Sequence, residues 1–247
     1  MAKPKAKVTK AKATPKPPNA KPVVAKKPAR PTPPSLPLPP PPPPPPAIRD
    51  ELAADRDIGR LLHYGERFGP HKIDIRMLPL QLPVASGALA VSDPAVPKSW
   101  RVLDRPAGSG AFRVMLSIAR DGAKEQLAAI AIHVGRPPIA RWTVAHARGQ
   151  KRPKTIEQLA RHEVTSGWLA ICDAGTGSPG ALAVPAGTPP LAPVEIPLVD
   201  GRRALAVPSG NGEYAAYWAV DAADKPVCLV VDFDVFTQKE WKAKPTG

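Results

Sequence analysis

An antiparallel β-sandwich with one or two peripheral helices, preceded by a disordered Lys/Pro-rich tail, is the mainly β architecture this sequence predicts. Three observations predict it. From Ile73 onward the chain divides into apolar runs of about 7–10 residues, separated by Gly, Pro, Asp and Asn. Several of these runs alternate with a period of two rather than 3.6. Helical patterns are almost absent between them, which disfavours an alternating α/β sheet.

The tail and the body differ in composition. Residues 1–46 hold 18 of the 36 prolines, ten Lys/Arg and no acid. The remaining 201 residues carry 25 basic and 21 acidic side chains, a net of +4 out of the chain's +14. All 12 aromatic residues lie in the body, so only the body can build a core. Its size suits a single β-rich domain over 47–247, with the sandwich over about 73–236. No run of about 20 apolar residues is present, which excludes a membrane-spanning helix. Two cysteines exclude a disulfide-stapled mini-protein.

With no hydrophobic face to bury, the tail cannot offset its ordering entropy and is expected to be disordered. Pro39–Pro46 are eight consecutive prolines, which predict a polyproline II rod of roughly 25 Å. No apolar secretory segment follows the basic start, so a cytoplasmic location is expected. Lys3, Lys5, Lys7, Lys10, Lys12, Lys16, Lys21, Lys26, Lys27 and Arg30 can adhere weakly to polyanions. No aromatic side chain sits among them to stack on bases.

In the body, Ile48, Leu52, Ile58, Leu61 and Leu62 recur at roughly helical spacing and predict a helix over about 48–64, ended near Gly65. The strands follow as IDIRMLPLQL, GALAVSD, AFRVMLSIA, EQLAAIAIHV, IARWTVAHA, GWLAICD, RRALAVP, YAAYWAV and PVCLVVDFD. Phe112, Val114, Leu116 and Ile118 point one way, with Arg113, Met115 and Ser117 opposite. The run at 125–134 is apolar on both faces and predicts a strand in mid-sheet. Thr155 and Gln158 fit a capping box for a helix reaching about His162. Residues 178–199, rich in Pro and Gly, predict a long loop.

The chemistry-bearing residues form no recognised catalytic spacing. His63, His71, His133, His146 and His162 include no pair at helical zinc-protease spacing. Cys172 and Cys228 sit in apolar strand patterns and read as small core residues. Neither glycine cluster, 108–110 or 175–177, stands before a helix as a phosphate loop requires. Asp93, Asp173, Glu213 and Asp232 lie near strand ends. Brought together, such carboxylates bind a hard cation or act as an acid/base pair. The same residues are also ordinary turn formers. No resident metal or cofactor is expected.

The order LPVASGALAVSDP (82–94), PAGSGAFRVMLSIAR (106–120) and RWTVAHA (141–147) continues with ICDAGTGSPG (171–180), SGNGEYAAYWAVD (209–221) and VVDF (230–233). In this order and spacing, over about residues 73–236, the body resembles family 4241 of bacterial domains of unknown function. This chain has Gly210-Asn211-Gly212 where that family usually has Gly-Asp-Gly, and Ala219 where it tends to have glycine. The resemblance implies a β-rich domain of this length. It directs attention to the Asp-Gly turns and to Tyr214.

The functional expectation is a non-catalytic binding or interaction module for a protein or ligand, carried on loops 173–180 and 209–214. Its contact residues are Asp173, Gly175, Thr176, Gly177, Asn211, Glu213 and Tyr214, because Gly-rich turns let a ligand approach the backbone. One alternative is a metal-dependent hydrolase using Asp93, Asp173 and Asp232. Another is weak, non-specific nucleic-acid association through the tail, salt-sensitive because only charge drives it.

Overall fold

Two antiparallel sheets built from all nine predicted strand runs form the body, with apolar side chains between them and on both outer faces. The computed structural model describes residues 56–136, 138–155, 158–175, 181–183, 191, 193–198 and 200–243, and the backbone alone at 48–49. The tail of residues 1–46, with its polyproline run, lies outside the described residues. Those described belong to one unit spanning 43–247.

In chain order the strands are β1 (Ile48–Arg49), β2 (Arg67–Phe68), β3 (His71–Val84), β4 (Leu89–Ser92), β5 (Arg101–Val102), β6 (Gly110–Asp121) and β7 (Lys124–His133). They continue with β8 (Arg141–Val144), β9 (Arg161–Val164), β10 (Trp168–Asp173), β11 (Val194–Pro197), β12 (Arg203–Pro208), β13 (Gly212–Val220) and β14 (Pro226–Asp232). The larger sheet runs β1-β8-β13-β14-β7-β6-β3-β2, with β9 also on β13; the smaller runs β11-β12-β10-β4-β5. Every pairing is antiparallel except β1 on β8.

The period-two pattern of β6 sorts its side chains as expected. Val114, Leu116 and Ile118 face the inter-sheet core, and Met115 faces the outer layer. The adjoining β7 lies between β14 and β6, which explains its two apolar faces. Its register slips where Ser117 pairs with Ala129 but Ile118 pairs with Leu127. Ala128 is the extra residue, so Leu127 returns to the face of Ile130. Trp218 is fully buried in this inner core.

The outer face of the larger sheet is covered by Ile58, Leu61, Phe68, Phe236 and Trp241. Phe68 stacks on Phe236 with centroids 4.1 Å apart, and Trp241 meets Phe68 edge-on at 4.9 Å. Trp241 comes from helix α1 (Gln238–Lys242), which opens on a reciprocal Thr237/Glu240 capping box. Small residues Ala90, Ala170, Cys172, Ala204 and Ala206 line the outer face of the smaller sheet together with Ile196 of β11, and Leu182 and Leu198 join this cluster.

Three expectations about elements are corrected. The helix over 48–64 is replaced by strand β1 and a 3-10 turn at Ile58–Leu62, with 50–55 outside the described residues. Burying Ile58 and Leu61 needs only one turn, and Arg60 is drawn away to Glu66 and to the Trp241 carbonyl. The helix reaching His162 is replaced by β9, which completes the edge of β13. Gln158 does reach back, to the Lys154 amide at 2.9 Å, but sheet pairing overrides helix propensity beyond it; Ile156 and Glu157 lie outside the described residues. Within the loop expected over 178–199, Val194–Pro197 forms β11 on β12.

Beyond Ile73 the outer edge of β3 has no partner strand among the described residues. Pro79 sits inside a register shift between Met77 and Gln81. It removes a donor where another chain would pair, which protects the edge from aggregation. No helix among the described residues is long and apolar enough to cross a membrane.

Candidate functional site

The three carboxylates suggested as an acidic cluster occupy three separate hydrogen-bond sets. Asp93 follows β4 and accepts from the Thr165 amide at 2.7 Å, the Ser166 amide at 2.9 Å and the Ala95 amide at 2.9 Å. It thereby ties β4 to the β9–β10 turn. Burial works against its ionisation, but hydrogen bonds from Ser166, Thr165 and Ala95 outweigh burial and hold the carboxyl below its ordinary range.

Asp173 ends β10 and does the same for the β3–β4 turn. It accepts from the Ala85 amide at 3.0 Å, the Ser86 amide at 3.1 Å and the Ser86 hydroxyl. Burial is again opposed and outweighed, here by Ser86, Ala85 and Gly175, so its carboxyl also sits low. Asp232 lies on β14 and pairs with Arg56 at 2.6 Å. Burial pushes this carboxyl up, against the pull of Arg56 and of the Asp234 amide. Among the described residues no group of three or more His, Cys, Asp or Glu is placed to hold a metal ion.

The glycine-rich turns are filled by the chain itself. Gly175 has φ +54°, and a Cβ there would collide with the Arg202 guanidinium. Arg202 donates to the Asp173 carbonyl and, through Nε, to Asp200 at 2.6 Å. The close approach allowed by Gly175 is therefore used by an internal arginine. Thr176 and Gly177 lie outside the described residues. In the second turn Asn211 and Glu213 are exposed, and Glu213 pairs across from Glu163. Tyr214 is buried, and its hydroxyl donates to the carbonyls of Ser209 at 2.9 Å and Gly210 at 3.0 Å. A tyrosine at a strand start, bonded back to the preceding backbone, is the tyrosine-corner arrangement of sandwich folds. A Cβ at Gly212 would stand 2.9 Å from that hydroxyl. Both cysteines are free and buried, with thiols pushed up to about 12 by burial.

Two arrangements escaped the sequence reading. Asp104 accepts from Trp218 Nε1 at 3.1 Å and from the His146 amide at 3.2 Å. Its other oxygen lies 3.4 Å from His146 Nδ1. Nearby, Arg105 and Arg141 converge on Asp224. The signal available in the sequence was a tryptophan in an apolar run, whose indole N–H needs an acceptor. The second is a cleft of about 320 Å³ between the ends of β3 and β10 and the starts of β6 and β12. Pro83, Val84, Ala85, Gly110, Gly201, Arg202 and Arg203 line it, together with Asp173, whose carboxylate is turned to the Ala85 and Ser86 amides. Arg203 is 62% exposed and 3.3 Å from Glu195. Apolar atoms beside the exposed Arg203 guanidinium suit a small ligand carrying an acid group.

The fold and these sites define a mainly β, antiparallel sandwich whose turns are locked by buried carboxylates. No family model, curated protein or solved structure matches the chain.

Proposed function

We propose that the protein is a non-catalytic binding module whose ligand seat is the cleft at Pro83–Ala85, Gly110 and Gly201–Arg203. The observation that carries this reading is the saturation of Asp93 by the Thr165 and Ser166 amides and of Asp173 by the Ala85 and Ser86 amides. A carboxylate held ionised by several donors is a poor base and has few lone pairs left for a cation. The cleft stands partly on strand ends, at Val84, Gly110, Asp173 and Arg203. A cytoplasmic setting accords with the two free thiols.

Amide-shift mapping by NMR of the full chain, titrated with short peptides and with small carboxylates and phosphates, tests the proposal. Shifts should cluster at Val84, Ala85, Gly110, Gly201 and Arg203, and weaken in Arg203→Gln. Turnover of an ester or phosphoester that disappears in a folded Asp173→Asn variant would overturn it.

A further inference from the structure

We propose that Lys98, Arg101 and the loop carrying Arg148, Lys151, Arg152 and Lys154 form a docking surface for the phosphate backbone of nucleic acid. The surface is separate from the cleft and does not depend on it.

The charge of the body is unevenly distributed. Residues 126–156 contain six Lys/Arg and no acid, although the body as a whole is nearly balanced. The fold adds to this bias. Leu103 bridges Ala147, the Arg148 amide donates to the Val102 carbonyl at 2.7 Å, and the Asp104 amide donates to the His146 carbonyl at 2.9 Å. The basic loop is thereby laid along β5, next to Arg101. The same Arg101 is near enough to His162 on β9 to oppose its protonation.

All six cations are exposed. Lys98, Arg101, Arg148, Lys151 and Lys154 make no ion pair among the described residues, whereas Arg105 and Arg141 are committed to Asp224. Among the described residues, the neighbouring carboxylate Asp104 is turned to Trp218 and His146. The loop is also ordered. Gln150 donates to the Ala147 carbonyl at 3.0 Å, Pro153 is buried, and Gln158 holds the Lys154 amide. Holding the loop backbone in advance lowers the entropy lost on binding.

A polyanion is the partner such a surface fits, and the arginines match phosphate geometry through paired N–H donors. The surroundings favour nucleic acid over a membrane. Of the exposed large apolar residues among those described, Tyr64, Met77 and Val96, only Val96 is close in sequence to the patch, which is too little to insert into lipid.

The test uses the full-length chain with a labelled oligonucleotide, single-stranded and duplex, across a salt series. Arg148→Gln, Lys151→Gln and Lys154→Gln combined should lower affinity about tenfold or more at low salt. The log–log salt slope should shrink by about 2–3. A charge-matched variant elsewhere, Lys72→Gln, Lys225→Gln and Lys239→Gln, should keep the slope; all six positions are exposed, so both variants should melt as the parent does. An unchanged slope in the first variant, or equal losses in both, would overturn the proposal. Tighter binding to phosphatidylserine vesicles than to the oligonucleotide at equal salt would overturn it in favour of a membrane.

Discussion

Arg56 Nη1 lies 2.6 Å from Asp232 Oδ2, on a carboxylate whose side chain is 1% exposed. The same guanidinium reaches Asp234 at 2.6 Å, and Asp234 holds the strained φ of +54°. Arg56 precedes the first buried turn of the domain and Asp232 ends its last strand. The pair therefore fastens the two ends of the body together across the outer face of the larger sheet.

Removing one partner leaves the other charge buried without compensation. Arg56→Ala should destabilise by about 3 kcal/mol, read as a lower urea midpoint. In a double-mutant cycle, Arg56→Ala with Asp232→Ala should cost less than the sum of the single changes. Additive losses would show that the pair is not coupled.

Gly175→Ala should cost about 1–3 kcal/mol, because its φ of +54° is strained for an L side chain and the Arg202 guanidinium occupies the space. Arg202→Ala in the same chain should relieve the clash but not the backbone strain, so only part of the loss returns. Thermal melting of the two variants measures both contributions.

Tyr214→Phe removes the hydroxyl that bonds Ser209 and Gly210, and should cost about 1 kcal/mol. Because this tyrosine is structural, ligand-induced shifts at the cleft should be unchanged. Loss of those shifts in a folded Tyr214→Phe protein would return Tyr214 to the binding surface.

His162 makes stability depend on pH. It is 3% exposed, and neither ring nitrogen has a hydrogen-bond partner. Burial first, and then Arg101, lower its pKa from 6.5 to about 4. The unfolded chain therefore takes up a proton below pH 6.5 that the folded chain resists until near pH 4. Stability contributed above pH 6.5 is lost as pH falls toward 4, on the order of 3 kcal/mol in all. His162→Leu should flatten that part of the profile in pH-dependent urea titrations. Asp93 and Asp173, held below 3.8, contribute only further down, and Asp232, raised, acts in the opposite direction.

The sequence alone determined the fold class and the nine main strand runs, because period-two alternation is a local property of a pleated chain, whereas β1, β9 and β11 carry no such pattern and are set by their partner strands. Phe112–Ile118 and Leu229–Phe233 need no distant partner to declare which side is apolar. The tertiary structure decided what the polar residues do. Asp93 bonds a residue 72 positions away, Asp173 one 88 away, and Arg56 meets Asp232 across 176. The basic loop became a surface only when Ala147 paired with Leu103. Hydrogen bonds and ion pairs form between groups adjacent in space. Until the sheets close, a carboxylate that will lock a turn is indistinguishable from one that will do chemistry.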